Sequence, residues 1–475
     1  MHTSTAIIAA LSAFSFSPAE SKPIEGRAGQ GFSLQEQVYG KRLKNGPIAL
    51  GNLYKKIGVE MPSEVLDAFA VATESQAPAN VNKRATSAPA AKPKPTSAKT
   101  SSTIRTSSTS STISSSVRAS STLSSSTATS RSSSVASSSS SSVGTKTAST
   151  TATPVNQFDT AYMIPITLGG STVMVNLDTG SSDLWAFSNM QPSSQSTGHN
   201  LYAPNQANIM QGYSWSVSYL DGSTAGGLVY KDTVTLGGAT FSNISIEAAQ
   251  SASDAFVTAS YDGMLGLAFD SLNTVTPVQQ KTLFSSIMNQ LPSKLFTAQL
   301  KHNAPGSYNF GYIDNTQYTG SITYSNVDTS NGWWQTSFQG YSIGSGSAVA
   351  QTFSGVVDTG TTLMVLPSNV VSDYYDGVVN ATYSSDYAAW IYPCTATLPN
   401  FNLIVNGAVA TVPGTMMTYG PIDYVGNCYG GLQQNDNINV AILGDIFIKS
   451  QFIVFDQGTT PPRVGFARQA GLSYS

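Results

Sequence analysis

A mainly β chain, folded into two lobes about a pseudo-twofold axis, is what this sequence predicts, on three observations. From about Pro154 onward the 475-residue chain is rich in Gly, Val, Ile, Thr and Tyr, set in short apolar runs broken by turn residues, which is the pattern of strands. The triplet Asp-Thr-Gly occurs twice, in NLDTGSS at 176–182 and VVDTGTT at 356–362, each time after an apolar stretch and before two hydroxyl residues. The surroundings of the triplets repeat as well. Ser188-Asn189 and Ser368-Asn369 follow their aspartates at the same offsets, and an apolar-apolar-Gly run closes each half, with Gly266 88 residues after Asp178 and Gly444 86 after Asp358. A repeat of that length has the size of a domain. Two lobes so related bring one aspartate from each to their junction.

In chain order, residues 1–19 resemble a secretory signal, with an apolar stretch from Ala6 to Phe16 and small residues at Ser17 and Ala19, although the charged start is weak and a buried helix is the bland alternative. Residues 20–84 hold short elements interrupted by Gly and Pro, then a helix expected over Ser63–Ala72. This segment is too small to be comfortable alone. It ends in the dibasic Lys83-Arg84, so it reads as a prosegment cut away in a secretory route. Residues 85–153 are mostly Ser, Thr and Ala without periodic apolar positions, and read as a disordered, O-glycosylated linker. Residues 154–475 form the folded domain, its lobes spanning about 154–325 and 326–475.

The net charge of −3 hides a segregation: 16 Lys and Arg against 7 Asp and Glu before Pro154, and 7 against 19 from there on. A strongly acidic folded region argues against nucleic acid as a partner and is easiest to reconcile with work at low pH. The two cysteines, Cys394 and Cys428, favour a single disulfide in an exported chain. A catalytic thiol is the weaker reading, and metal ligation weaker still, since His199 and His302 are isolated and no ligand spacing occurs. No later stretch is long enough to span a membrane, and the tail RVGFARQAGLSYS lacks the hydrophobic segment of a lipid-anchor signal. The expectation is a secreted, extracellular monomer, with the linker as a means of retention at a cell wall. NIS at Asn243 and NAT at Asn380 are N-glycan acceptor patterns.

Asp-Thr-Gly suits a tight turn at a strand end, Gly allowing close backbone approach and the hydroxyls bonding locally. One such triplet is adequately explained as a surface turn; a pair inside a long-range repeat is not. Carboxylates held about 3 Å apart cannot both ionise and share a proton, so that one serves as base to a water while the other donates to a carbonyl.

On these residues the region from about Gln157 to Ala467 resembles the pepsin-like aspartic peptidases in their secreted fungal form. The resemblance implies their bilobal acid-protease fold, with a cleft between the lobes. It implies an endopeptidase made as a zymogen, acting on protein and peptide substrates at acid pH with apolar residues around the cut, inhibited by pepstatin-type compounds and needing no metal or cofactor. It makes Asp178 and Asp358 the catalytic pair, supported by Thr179, Gly180, Ser181, Thr359, Gly360 and Thr361. The alternating strand YSWSVSY followed by Asp221-Gly222 resembles the flap that closes over bound peptide, with Tyr219 as its tyrosine and Trp185 as the tryptophan that holds it. By periodicity alone both aromatics read as core. Leu220 stands where the family usually has Gly; Asp221 follows the fungal form that accepts a Lys side chain beside the cut. In LYKKIG, Lys56 resembles the inhibitory lysine of the family's prosegment, although Ile57 replaces the usual Tyr.

Three rival readings remain. GYSIG at 340–344 matches the Gly-x-Ser-x-Gly of serine hydrolases, but neither a helical pattern nor a histidine follows it. A wall or adhesion protein that had lost catalysis would have no need of intact aspartates with hydroxyl neighbours. A retaining glycosidase also uses two carboxylates, but the paired Asp-Thr-Gly turns favour peptide hydrolysis.

Overall fold

The computed structural model describes residues 45–57, 59–74, 145–219, 223–422, 426–436 and 438–474, all within one compact unit. The expected signal segment, the dibasic pair and the expected linker as far as 144 lie outside the described residues.

Strands build the body. The largest sheet has thirteen, running from Tyr318–Asn326 at one edge to Ile209–Ser218 at the other. Its middle ties the two halves of the chain together: Leu295–Lys301 pairs with Ala304–Phe310 on one side and with the C-terminal strand Gln451–Asp456 on the other. Phe296, Phe455 and Trp334 pack against one another over this seam, and the Trp334 indole donates to the Leu267 carbonyl (2.8 Å). A seven-stranded and a four-stranded sheet complete the second half. Cys394 and Cys428 form a disulfide at one end of the four-stranded sheet, with Cα atoms 5.0 Å apart.

The domain repeat is visible in the registers. Val175–Asp178 runs parallel to Gly263–Gly266, and Gly355–Val357 runs parallel to Ala441–Leu443. In each half a short strand returns antiparallel on the far side of that run, Leu184–Ala186 in the first and Met364–Leu366 in the second. Gly266 and Gly444 close these crossings for a steric reason. A Cβ on Gly266 would lie 2.5 Å from the Asp183 nitrogen, and one on Gly444 2.3 Å from the Leu363 oxygen.

One boundary is corrected. The strand body starts before the expected 153/154 junction, because Ala148–Pro154 is a strand. It pairs with Gly306–Phe310 on one side and with Tyr162 and Met163 on the other. Ala148, Thr150 and Ala152 point inward and are buried while Ser149 and Thr151 stay exposed. This period-two pattern is written in the same small residues as the linker, which is why hydropathy does not reveal it. GYSIG lies largely in the strand Gln335–Ile343, and the next element is another strand, Val349–Val357, so no nucleophile turn into a helix exists there.

Two helices precede the body. The second, Ser63–Glu74, begins where the sequence predicts and runs two residues further; the first is Asn45–Ile57. Gly51 breaks no helix: the Phe69 ring packs so closely that a Cβ there would sit 2.1 Å from it. Leu50, Leu53, Tyr54, Val65 and Ala68 are buried in one apolar cluster with Val356, Leu363, Tyr419, Tyr429, Ile438 and Ile442 of the second lobe.

Candidate active site

Each Asp-Thr-Gly triplet turns at the end of its strand and binds its own carboxylate in the same way. Gly180 N–H donates to Asp178 Oδ1 (2.8 Å) and Ser181 Oγ to Oδ2 (2.6 Å). Gly360 N–H donates to Asp358 Oδ1 (3.0 Å) and Thr361 Oγ1 to Oδ2 (2.5 Å). The threonines lock the two loops together. Thr179 Oγ1 donates to the Val357 carbonyl (2.8 Å) and accepts from Thr359 N–H (3.0 Å); Thr359 Oγ1 donates to the Leu177 carbonyl (2.7 Å) and accepts from Thr179 N–H (3.1 Å). These four bonds are buried and span about 180 residues of sequence. Both aspartates therefore flank a single junction, and both charges bear on the buried Tyr308 phenol beneath it, whose pKa burial raises first of all.

The strand Ile209–Ser218 alternates as expected, with Trp215 and Val217 buried and Ser216 and Ser218 exposed. Tyr219 N–H donates to the Ser223 carbonyl (2.8 Å), closing the hairpin. The Trp185 indole donates to the Tyr219 hydroxyl (2.9 Å), and Phe256 packs edge-on against both rings. Trp185 is itself fully buried. Burial, then the charges of Asp183 and Asp178, raise the Tyr219 pKa, so the phenol keeps its proton. Leu220, Asp221 and Gly222 lie outside the described residues, as does the Lys56 side chain.

The helix Asn45–Ile57 reaches the second of these loops. Ile48, Ala49, Asn52 and Leu53 face Gly360, Thr361 and Thr362 of the second loop, and Thr160, Ala161 and Met264 from the first lobe, around a cavity of about 280 Å³. Asp178 and Asp358 are almost wholly buried.

Two buried charge clusters near the site are absent from the sequence reading. Asp159 accepts from His302 Nδ1 and Lys449 Nζ (3.0 Å) as well as from Asn303 N–H (2.9 Å). Burial pushes its pKa up, but these partners outweigh burial and hold it below the usual carboxylate range. The other is a carboxyl pair, Asp183 with Glu247, bridged by Asn273 behind the first loop. Comparing the repeats could have flagged Asp183, because the residue at its offset in the second half is Leu363. Glu247 and Lys449 leave no local signal. Among the described residues no group of three or more His, Cys, Asp or Glu could hold a metal ion.

The family model for eukaryotic aspartyl proteases matches residues 161–469. The chain is 47% identical over 325 residues to penicillopepsin-3 of Penicillium janthinellum, covering 68% of this chain and 82% of that protein. It is 47% identical to aspergillopepsin-1 of Aspergillus fumigatus over 326 residues, again 68% and 82%. To the aspartic protease pepA of Leptosphaeria maculans it is 45% identical over 324 residues, 68% and 79%. Two matched lobes, joined through reciprocal threonines at twin Asp-Thr-Gly loops, and relatives of this kind lead to one conclusion: the chain belongs to the eukaryotic aspartyl protease family and is a pepsin-like aspartic endopeptidase.

Proposed function

We propose that this protein is a secreted zymogen whose processed form cuts proteins at acid pH, with Asp178 and Asp358 as the catalytic pair. The carrying observation is the reciprocal lock of Thr179 and Thr359, which fixes two identically hydrogen-bonded carboxyl groups at one junction. At acid pH the pair holds one proton between its two carboxyls. The ionised aspartate takes a proton from a water, whose oxygen attacks the scissile carbonyl carbon, while the protonated partner donates to the carbonyl oxygen. Collapse of the tetrahedral diol then breaks the C–N bond as the amine gains a proton from the pair. Gly180 and Gly360 N–H with the Ser181 and Thr361 hydroxyls hold both carboxyls in place through these transfers. The hairpin carrying Tyr219 closes over the peptide.

The helix Asn45–Ile57 supports the zymogen reading, since its Ile48, Ala49, Asn52 and Leu53 line a cavity together with Gly360, Thr361 and Thr362 of the second loop. The apolar surface it covers, Val356, Tyr419, Ile438 and Ile442, supports apolar residues around the cut. Lys56, the Lys83-Arg84 processing site and a glycosylated linker that retains the enzyme at a wall complete the proposal, with Asn243 and Asn380, both exposed, as N-glycan sites. The test follows hydrolysis of denatured haemoglobin by the secreted protein from strongly acid to neutral pH, with and without pepstatin, alongside N-terminal sequencing. Acid activity that pepstatin abolishes, in a chain that has lost residues through Arg84, is the expected result. Full activity in the uncut chain contradicts the zymogen reading, and pepstatin-resistant activity contradicts the catalytic pair.

A further inference from the structure

Behind the first Asp-Thr-Gly loop lie two carboxyl groups that the hydrolytic mechanism does not use. Asp183 ends the loop segment that follows Asp178. Glu247 lies on the strand Ala239–Ala252, in register opposite Trp185. Both are almost fully buried. Asn273 Nδ2 donates to Asp183 Oδ1 (2.8 Å) and to Glu247 Oε1 (2.9 Å), so one amide holds both, and Thr274 N–H adds a second donor to Asp183 Oδ1 (2.8 Å). Glu247 Oε2 is buried and receives no donor. Among the described residues, the other titratable groups facing the pair are the Asp178 carboxyl from its own loop and the Tyr219 phenol from the flap strand, and no ammonium or guanidinium is among them.

Two buried carboxylates side by side without a counter-charge are not a stable arrangement. A proton on one of them removes the repulsion and lets an O–H donate to the neighbouring carboxylate, using the oxygen that otherwise has no donor. We propose that Asp183 and Glu247 share one proton and act as a positioning pair, holding the segment from Ser181 to Trp185, and through it the first catalytic loop and the flap tyrosine, in working order only while that proton is retained. The loop is tied in directly: Gly266 N–H bonds the Asp183 carbonyl (2.9 Å), and Trp185, two residues on, bonds Tyr219.

Burial first, and then the Asp183 charge, raise Glu247 strongly; burial first, with a contribution from Asp178, raises Asp183. Carboxyls raised in the folded state give stability that is complete in acid and is lost as pH rises through the folded-state values. The first lobe therefore loosens toward neutrality. The second lobe lacks the device. Leu363 stands at the offset of Asp183, and the residue in register with Val365 as Glu247 is with Trp185 is the amide Gln433, whose side chain bonds the Trp390 N–H and carbonyl and the Gly430 carbonyl.

Glu247→Gln reproduces in the first lobe what the second already has, a neutral amide that cannot lose a proton. The inference rests on the endopeptidase reading only where turnover is the readout. Two arms need no turnover. In the first, the full chain carrying Asp178→Asn and Asp358→Asn is taken from acid to neutral pH by infrared difference spectroscopy. A buried protonated-carboxyl band that bleaches toward neutrality, and disappears when Glu247→Gln is added, is the expected result; absence of the band, or its survival in Glu247→Gln, overturns the proposal. In the second, irreversible unfolding is timed at neutral pH, where Glu247→Gln or Asp183→Asn should lengthen the half-life about tenfold, equivalent to one pH unit of displacement. Turnover adds a third arm, in which the neutral limb of the pH profile moves up in Glu247→Gln. Glu247→Ala, which leaves a cavity, should weaken the fold at every pH. Equal half-lives in wild type and both amide variants would also overturn the pair.

Discussion

Replacing Thr359 with Val tests the lock between the lobes, because it preserves shape and removes only the hydroxyl. Two bonds go, the 2.7 Å donation to the Leu177 carbonyl and the 3.1 Å acceptance from Thr179 N–H. Both partners lie in the buried seam, where water cannot replace the hydroxyl. Each bond contributes about 1 kcal/mol net, and a buried group left without a partner costs about 1–3 kcal/mol. For the two orphaned partners the sum expected is about 2–6 kcal/mol, a large share of a stability that is typically about 5–15 kcal/mol. Thr179→Val breaks the mirror-image pair, so it should cost nearly the same. The double variant should cost less than the sum, because once one side slips the remaining bonds lengthen. Urea unfolding of the three variants reads the energies, and kcat for a peptide substrate reads the alignment. A loss below about 0.5 kcal/mol with kcat unchanged would refute the reasoning, since the threonines would then be spectators.

Tyr219→Phe leaves the buried Trp185 indole without its acceptor, so kcat/KM should fall by about tenfold, read with a chromogenic peptide. Replacing Cys394 and Cys428 by Ser opens a loop with a sequence separation of 34 and should lower stability by about 4 kcal/mol, read by thermal unfolding with and without reductant. Asp159→Asn strands the buried Lys449 and should destabilise by about 3–5 kcal/mol at moderate pH. Because the Asp159 pKa is lowered, its contribution is complete above the ordinary aspartate range and is lost as pH falls through the depressed value, so the variant's unfolding should show less loss on the acid side. Leu53→Ala removes an apolar side chain from the contact between the first helix and the second lobe, worth about 2–5 kcal/mol, and should shorten the lag before activity appears on acidification.

The repeat was legible in the sequence because its spacing is fixed by covering one loop with another: each Asp-Thr-Gly must meet an apolar-apolar-Gly strand, and the glycines leave no room for a side chain. The alternating strand up to Tyr219 was legible for the usual reason, that one face is buried and the other wet. The strand Ala148–Pro154 was not, since Ala and Thr read alike in a linker and against a sheet. Nor was the helix Asn45–Ile57, whose Gly46 and Gly51 read as breakers when they are points of close approach to Tyr429 and Phe69. The Asp159 and Glu247 clusters unite side chains between 26 and 290 positions apart, and no local pattern encodes such meetings.

The central claim is that one carboxyl from each lobe does the chemistry. Asp178→Asn and Asp358→Asn, each with the first 84 residues removed and each checked for cooperative unfolding, should both lose haemoglobin hydrolysis at acid pH by about a thousandfold or more. If either folded variant hydrolyses haemoglobin at the wild-type rate, the two loops are not a catalytic pair and the account fails.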